Sequence, residues 1–210
     1  MRRRARPVTA ALGVALLAVA VAAGAGRAQT QPPAQDSPPA APAAAEDPRA
    51  ARAARLDALF AELADPATED WEAVEQQIWS EWSHSGSAAM DLLLRRGRKA
   101  LEAKDTARAI ALFSALVDHA PDFAEGWNAR ATAFYMADRY GEALADIARA
   151  LALEPRHFGA LTGLGMILEE SGFPERALQA FRAAHAIHPH RPSVNEAIER
   201  LELKTRGRAL

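Results

Sequence analysis

Three histidines near the C-terminus come closest, by residue type and spacing, to a reactive site. His185, His188 and His190 lie within six residues, and the first two would share a helix face, an arrangement that can bind zinc or copper. The chain has no cysteine, and no carboxylate near them in sequence completes a ligand set. Pro189 also turns the chain between the last two. We therefore expect solvated histidines at a helix end and no bound metal.

Other short motifs carry catalytic residue types at spacings that argue against catalysis. Ser83-His84-Ser85 places a nucleophile beside a base, but adjacent side chains seldom point at each other, and serines are common in turns. The consecutive carboxylates Glu169 and Glu170 would not face each other on a helix. Gly163-Leu164-Gly165 lacks the third glycine, the preceding strand and the lysine of a phosphate loop. We predict a chain that is not an enzyme and binds no cofactor.

The elements that must position these side chains follow a period of 34 residues. Four columns keep this spacing over three copies: Pro121, Pro155 and Pro189; Ala109, Ala143 and Ala177; Phe113, Ile147 and Phe181; and Gly97, Ala131 and Gly165. Small residues allow helices to approach closely, and the large apolar column fills the space between neighbouring units. The period predicts three helix-turn-helix units, at 90–123, 124–157 and 158–191.

Helical segments flank these units on both sides. Residues 48–86 contain two apolar stripes at helical spacing, one of Leu56, Leu59, Phe60 and Leu63 and one of Trp71, Val74, Ile78, Trp79 and Trp82. We interpret this segment as a divergent hairpin that caps the array, with its tryptophans packed between the hairpin and the first unit. A capping box, from Ser193 to Glu196, predicts a final helix at 192–205 that covers the last unit.

The first 47 residues have a different composition. Residues 1–28 combine five arginines, an uncharged apolar run and small residues, the layout of a secretory signal peptide cleaved after Ala28 or after Ala25. A retained anchor is the alternative, because 18 uncharged residues approach the length of a membrane span. Residues 29–47 hold five prolines and no large apolar side chain, which predicts a disordered linker. An exported, periplasmic or secreted protein is the expectation.

The charge distribution excludes some partners and leaves one question open. Without residues 1–28, 20 basic residues oppose 27 acidic ones, a formal net charge of −7, which argues against nucleic acid and anionic membranes as partners. Nine acidic and no basic residues lie between Leu56 and Leu94, and six basic residues follow within 95–108. One interpretation is that both runs are solvated faces joined by a few ion pairs. The other is that the basic cluster enters a groove and binds an acidic partner, although only Arg98 is at a position expected to face that groove.

Residues 90–204 resemble a three-repeat tetratricopeptide domain with its capping helix. The family's marks are clearest in the second and third copies: Trp127, Ala131, Phe134, Ala143, Ile147, Ala150 and Pro155, then Leu161, Leu164, Gly165, Leu168, Ala177, Phe181, Ala184 and Pro189. The first copy departs at Ala100 and Leu116. The whole chain resembles exported tetratricopeptide proteins of alphaproteobacteria. The resemblance implies an all-α, right-handed superhelix and a non-catalytic adaptor or scaffold.

The resemblance also implies a concave groove that binds a protein or peptide, with no small-molecule substrate. Carried over by repeat position, the groove residues are Leu94, Arg98, Leu101, Asn128, Thr132, Tyr135, Met136, Thr162, Met166 and Glu169. The family's clamp for a chaperone's terminal carboxylate is absent, because its places hold Leu94, Arg98, Ala129, Gly159 and Gly163. We expect another envelope protein as the partner. The alternative is a structural subunit of an envelope complex that self-associates through an exposed apolar face.

Overall fold

The computed structural model describes residues 47–206 of the 210-residue chain. The predicted signal peptide and, except for Asp47, the predicted linker lie outside this region. The described residues form nine helices and no strand: α1 (Pro48–Ala64), α2 (Trp71–Trp82), α3 (Ala88–Glu102), α4 (Thr106–His119), α5 (Ala124–Tyr135), α6 (Tyr140–Leu153), α7 (Phe158–Glu170), α8 (Pro174–Ile187) and α9 (Pro192–Arg206). None of these nine helices has the length and apolar character needed to cross a bilayer.

Helices α3 to α8 form three antiparallel pairs that stack in chain order, one pair in each predicted unit. Each pair packs against the next, α4 on α5 and α6 on α7, and α9 packs on α8. This is the all-α superhelix that the resemblance implied. Local signals set the turns: the Asp105 carboxylate accepts a hydrogen bond from the Arg108 N–H at 3.0 Å, Gly172 adopts a φ of +82°, and Pro174 opens α8.

Small residues inside the pairs allow large ones to fill the space between helices. A Cβ placed on Gly97 would lie 2.2 Å from the ring of Phe113, and one on Gly165 would lie 2.8 Å from the ring of Phe181. Both distances are far below van der Waals contact, so these columns of the repeat must stay small. Phe113 also packs with Ala129 of the next pair. The close approach expected from the 34-residue pattern is therefore present.

The α1–α2 hairpin does not pack where the sequence suggested. Its tryptophans contact the third pair rather than the first: Trp82 stacks on His157 with ring centroids 4.2 Å apart, and Trp79 meets Phe158 edge-on at 5.4 Å. Trp71 lies 5.4 Å from His188. The prediction of a tryptophan core between hairpin and first unit is wrong. The outer side of α3 is polar, with Arg96 and Lys99 exposed, whereas Phe158 offers the hairpin an apolar surface.

Candidate binding groove

The concave side of the superhelix retains an open cavity between α5 and α7. Its volume is about 310 Å³. The lining residues are Trp79, Asn128, Ala131, Thr132, Tyr135, Met136, Ile147, Gly159, Thr162, Gly163, Met166, Ile167 and Arg191. Six of these side chains are apolar (Trp79, Ala131, Met136, Ile147, Met166 and Ile167), and hydroxyl, amide and guanidinium groups are interspersed among them. We call this space the α5–α7 cavity.

A second cavity of about 330 Å³ lies beside it, between α3 and α5. Its lining includes Arg98, Leu101, Phe113, Glu125 and Ala129. Three further residues, Trp79, Asn128 and Thr132, line both cavities. These three side chains therefore form the boundary between two adjoining sites, and an extended ligand that crosses it can contact both.

Eight of the ten groove residues predicted from the sequence line these two cavities. They are Arg98, Leu101, Asn128, Thr132, Tyr135, Met136, Thr162 and Met166. Leu94 lines neither of them, because it is 1% exposed and packs in the core of the first pair. Glu169 lines neither cavity, because its carboxylate accepts hydrogen bonds from Arg200 of α9 at 3.1 and 2.9 Å.

Trp79 of α2 was not among the predicted groove residues, although it contributes to both cavities. Its indole N–H donates to Glu75 at 3.0 Å, and its ring lies against the first turn of α7. A Cβ on Gly159 would lie 2.7 Å from Trp79 Cη2, so the absence of a side chain at Gly159 allows the indole to enter the groove. No pattern within the 34-residue repeat indicates this contact, because the tryptophan lies outside the repeats.

A buried polar network fixes the wall of the α3–α5 cavity. Glu125 is 3% exposed and accepts hydrogen bonds from Arg98 at 2.7 Å, Asn128 at 3.0 Å and His157 Nε2 at 3.0 Å. The Nδ1 atom of His157 accepts the Ala160 N–H at 3.2 Å. The network therefore joins α3, α5 and the start of α7, and it orients the Arg98 and Asn128 side chains that line the cavities.

The electrostatics of Glu125 favour its charged form despite its depth. Burial by itself raises the pKa of this carboxyl, but the hydrogen bond from His157 and the positive charge of Arg98 outweigh it, so the pKa of Glu125 lies below its ordinary value. The ionised carboxylate accepts from three donors, and through these hydrogen bonds Glu125 anchors three helical elements to one another.

Two of the three C-terminal histidines hold the hairpin to the superhelix. His188 is fully buried and donates from Nε2 to Glu75 at 3.1 Å, and His190 Nε2 bonds the Asp65 carbonyl at 3.0 Å. His185 bonds Asn195 of α9 at 2.7 Å. The expectation of solvated histidines is wrong for His188. Burial by itself raises the pKa of Glu75, and hydrogen bonds from His188 and Trp79 with the charge of Arg191 lower it overall.

The side chains of the other catalytic candidates form hydrogen bonds with different groups and not with each other. His84 bonds the Ser80 carbonyl at 2.6 Å, while Ser83 donates to the Trp79 carbonyl at 2.7 Å. Glu170 accepts from Tyr135 and Tyr140, each at 2.6 Å, whereas Glu169 faces α9. Within residues 47–206, no group of three or more histidine, aspartate or glutamate side chains is placed to hold a metal ion.

The edge of the α5–α7 cavity carries an aromatic pair. The rings of Tyr135 and Tyr140 stack with centroids 5.7 Å apart, and both hydroxyls donate to Glu170. These hydrogen bonds to a carboxylate raise the pKa of each tyrosine to about 12. Both phenols are therefore neutral donors at physiological pH, and Glu170 fixes the orientation of Tyr135 at the mouth of the cavity.

The chain is similar to known tetratricopeptide repeat proteins in sequence. The sequence profile described as Tetratricopeptide repeat matches residues 94–152 and 137–192. A TPR repeat-containing protein of Rhizobium etli is 36% identical over 154 residues, which cover 73% of this chain and 76% of that protein. Its source agrees with the resemblance to proteins of alphaproteobacteria.

Solved structures show the same fold at lower identity. The Arabidopsis OM64 TPR domain superposes with a TM-score of 0.52 at 22% identity, covering 54% of this chain and 93% of that domain. The TPR2B domain of yeast Sti1, in its pHsp70 complex, gives a TM-score of 0.52 at 19% identity and covers 56% of this chain and 99% of that domain. With its 34-residue period, its stacked helix pairs and its Rhizobium relative, the chain belongs to the tetratricopeptide repeat family.

Proposed function

We propose that the chain is a non-catalytic adaptor that binds an extended segment of a partner protein in its concave groove. Tetratricopeptide domains are typically protein-interaction modules that use such a surface, and the Sti1 domain named above was solved with a peptide-type partner. The observation that carries the proposal is the α5–α7 cavity, an open site with apolar lining on the concave side of the repeats.

The chemistry of the cavity suggests what the segment must offer. Ala131, Ile147 and Ile167 provide an apolar lining, and about 310 Å³ holds one or two large apolar side chains. Asn128, Thr132 and Thr162 stand among them as hydrogen-bonding groups for a peptide backbone. A partner segment with an apolar anchor residue, flanked by exposed main chain, meets both requirements.

The cellular setting is part of the same proposal. The pattern of residues 1–28 supports export, and the Pro-rich residues 29–47 support a tether between the export signal and the helical domain. The partner is then another protein of the bacterial cell envelope, reached in the periplasm or outside the cell. Fractionation of cells that express the tagged full-length chain tests this point, since recovery in the cytoplasm would contradict it.

Filling the cavity tests the groove without removing any contact. Gly163 lies in the middle of α7, and a Cβ added there meets Ile147 at an ordinary 3.6 Å, so Gly163→Met directs its side chain into free space. Gly141→Met is the matched control, because Gly141 is an exposed α6 residue with nothing within 4 Å of an added Cβ. Both changes replace a helical glycine by a better helix former.

Crosslinking in cells, followed by affinity capture and mass spectrometry, compares the wild type with these two variants. We expect one envelope protein to be captured by the wild type and by Gly141→Met but lost with Gly163→Met, with helicity by circular dichroism equal in all three. Equal capture by all three proteins would show that the cavity is not the binding surface, and the groove proposal would then fail.

A further inference from the structure

A cluster of basic side chains covers the outer surface of the first helix pair. Its members are Arg95, Arg96 and Lys99 of α3, Lys104 in the following turn and Arg108 of α4, and all five are exposed. We call this surface the basic face. None of the five lies within ion-pair distance of a carboxylate of residues 47–206, whereas most arginines elsewhere in that region form such pairs, for example Arg130 with Asp146 at 2.6 Å.

The basic face keeps a net positive charge when its own carboxylates are counted. Asp91, Glu102 and Asp105 lie beside it; the Asp91 carboxylate already accepts hydrogen bonds from Ser85 and the Asp105 carboxylate is engaged with the α4 N-terminus. Arg96, Lys99 and Arg108 line a recess of about 570 Å³ between the end of α3 and the start of α4. Of this sequence run only Arg98 lines the two groove cavities, and Arg95 also borders a separate recess between α2 and α3.

An acidic surface of five carboxylates lies at the turn between α1 and α2. Glu62, Asp65, Glu69, Asp70 and Glu72 are all exposed, and within the described region none of them forms an ion pair. Only Asp65 has a recorded side-chain hydrogen bond, in which its carboxylate accepts the Ala67 N–H at 2.9 Å. We call this surface the acidic turn.

The two surfaces cannot neutralise each other within one molecule. The acidic turn is held at the far end of the array, because His190 bonds the Asp65 carbonyl and stacks on Trp71 with centroids 5.9 Å apart. The basic face belongs to the first helix pair, so the second and third pairs separate the two clusters. Each cluster therefore keeps its own like-charge repulsion, which an oppositely charged surface relieves.

We propose that the basic face binds the acidic turn of a second copy of this chain. Five cations then meet five carboxylates, and Leu92, which is 38% exposed on α3, gains an apolar contact at the edge of the interface. Because the two surfaces differ, the contact is heterologous, and copies join head to tail into a short chain or a closed ring. The groove stays open, so this inference does not depend on peptide binding.

An apolar self-association face, as considered from the sequence, has less support. Within residues 47–206, the exposed large apolar side chains are Leu92, Met136, Met166, Phe173 and Leu203. They belong to five different helices or helix caps, and two of them line the groove. Single exposed apolar residues of this kind are ordinary at a protein surface. Two copies can offer each other surfaces of opposite charge, whereas the described part of the chain has no matching apolar surfaces.

Analytical ultracentrifugation of the full-length chain tests the contact at rising concentration, in about 0.05 M and in about 0.5 M salt. We expect the average mass to rise with concentration at low salt and to return to the monomer value at high salt. Two charge-reversal variants isolate the surfaces: R96E/K99E/R108E for the basic face and E62K/E69K/E72K for the acidic turn. Each variant alone should remain monomeric, while an equimolar mixture of the two should associate.

Three controls decide between this partner and others. Circular dichroism should show equal helicity for both variants, and Gly163→Met should self-associate like the wild type even if it loses its groove partner. A wild type that stays monomeric at low salt, or variants that associate as well as it does, would overturn the proposal. Wild-type binding to phosphatidylglycerol vesicles without self-association, lost in R96E/K99E/R108E, would also overturn it and assign the basic face to anionic lipid.

Discussion

Glu125 shows how a single residue organises this groove. It is nearly inaccessible to solvent, yet three donors from α3, α5 and the start of α7 surround it, and each donor belongs to a different part of the candidate site. A buried carboxylate with this many partners is costly to disturb, because removal of its charge leaves Arg98 without its counterion. The geometry of both cavities therefore depends on this side chain, although it contributes little of their surface.

Acid should weaken the domain through Glu125. Its pKa is lower in the folded state than the ordinary value of 4.5, so its stabilising contribution is complete above the unfolded-state pKa and is lost as the pH falls through the folded-state pKa. We expect Glu125→Gln to cost about 1–3 kcal/mol at neutral pH. Urea unfolding at about pH 6 and about pH 3 should show a smaller loss of stability on acidification for the variant than for the wild type.

An equal loss of stability in both proteins would show that Glu125 titrates as an ordinary surface carboxyl. Asp57→Asn serves as the control, because Asp57 pairs with Arg156 at an exposed position. Its substitution should change stability by less than about 1 kcal/mol. The comparison separates the effect of the buried network from the general effect of removing one negative charge.

Gly159 should be intolerant of even one methyl group. Alanine there brings its Cβ within 2.7 Å of Trp79, so we expect the indole to move and the domain to lose about 1–3 kcal/mol. At Gly141 the added Cβ has no neighbouring atom within 4 Å, so alanine there should stabilise α6 by about 0.4–1 kcal/mol. Urea unfolding of the two variants measures both effects, and a Gly159→Ala protein as stable as Gly141→Ala would contradict the packing described here.

At the scale of helices, the α1–α2 hairpin is the element that departs from a simple solenoid. It packs its apolar stripe on Phe158 and on the chain around His188, and its Trp79 forms part of both cavities. The hairpin therefore narrows the groove and adds an aromatic wall to it. A partner segment bound in the proposed groove would therefore contact residues outside the repeats, Trp79 among them.

Removal of one hairpin ring should loosen the third helix pair locally. Trp82 is buried and stacks on His157, so Trp82→Ala is expected to cost about 3–5 kcal/mol. Hydrogen exchange should show a larger loss of protection in the first turns of α7 than in α6, because His157 and Phe158 contact the ring directly. A uniform loss of protection over all helices would contradict this local role.

At the scale of the whole molecule, the hairpin ties distant parts of the chain together. Glu75 and His188 are 113 residues apart and form a hydrogen bond, as do Asp65 and His190, which are 125 apart. Repeat arrays without such contacts are stabilised mainly between neighbours. These two hydrogen bonds give the short array long-range contacts in addition to those between neighbouring repeats. They also hold the acidic turn far from the basic face, as the proposed head-to-tail contact requires.

Cutting the chain after the hairpin should leave the two parts associated. Gly86 is exposed and has a φ of +88° with nothing near it, so a protease site inserted between Gly86 and Ser87 should be tolerated. After cleavage, the hairpin fragment should co-elute with the repeats in native gel filtration and separate in concentrated urea. The same cut in a Trp82→Ala protein should release the fragment, and release from the parent protein would contradict the docking.

The sequence by itself determined the repeating architecture. A 34-residue period of small and large residues is a local pattern, because each helix pair packs on its chain neighbours, and so the stacked helix pairs could be predicted from spacing. The groove residues came from the resemblance to the family, carried over by repeat position, and Leu94 shows the limit of that procedure. In the first pair the position faces its own core, and repeat position does not state which side of a helix stays exposed.

Only the tertiary structure decided what surrounds the groove. The docking of α1 and α2 on the third pair, the buried pairs of Glu75 with His188 and of Glu125 with His157, and the fit of Trp79 over Gly159 all join residues far apart in the chain. Several hairpin placements bury the same apolar stripe, so hydrophobic periodicity alone does not choose among them. Shape and polar pairing at Phe158 and His188 select one, and that choice sets the groove's aromatic wall and the position of the acidic turn.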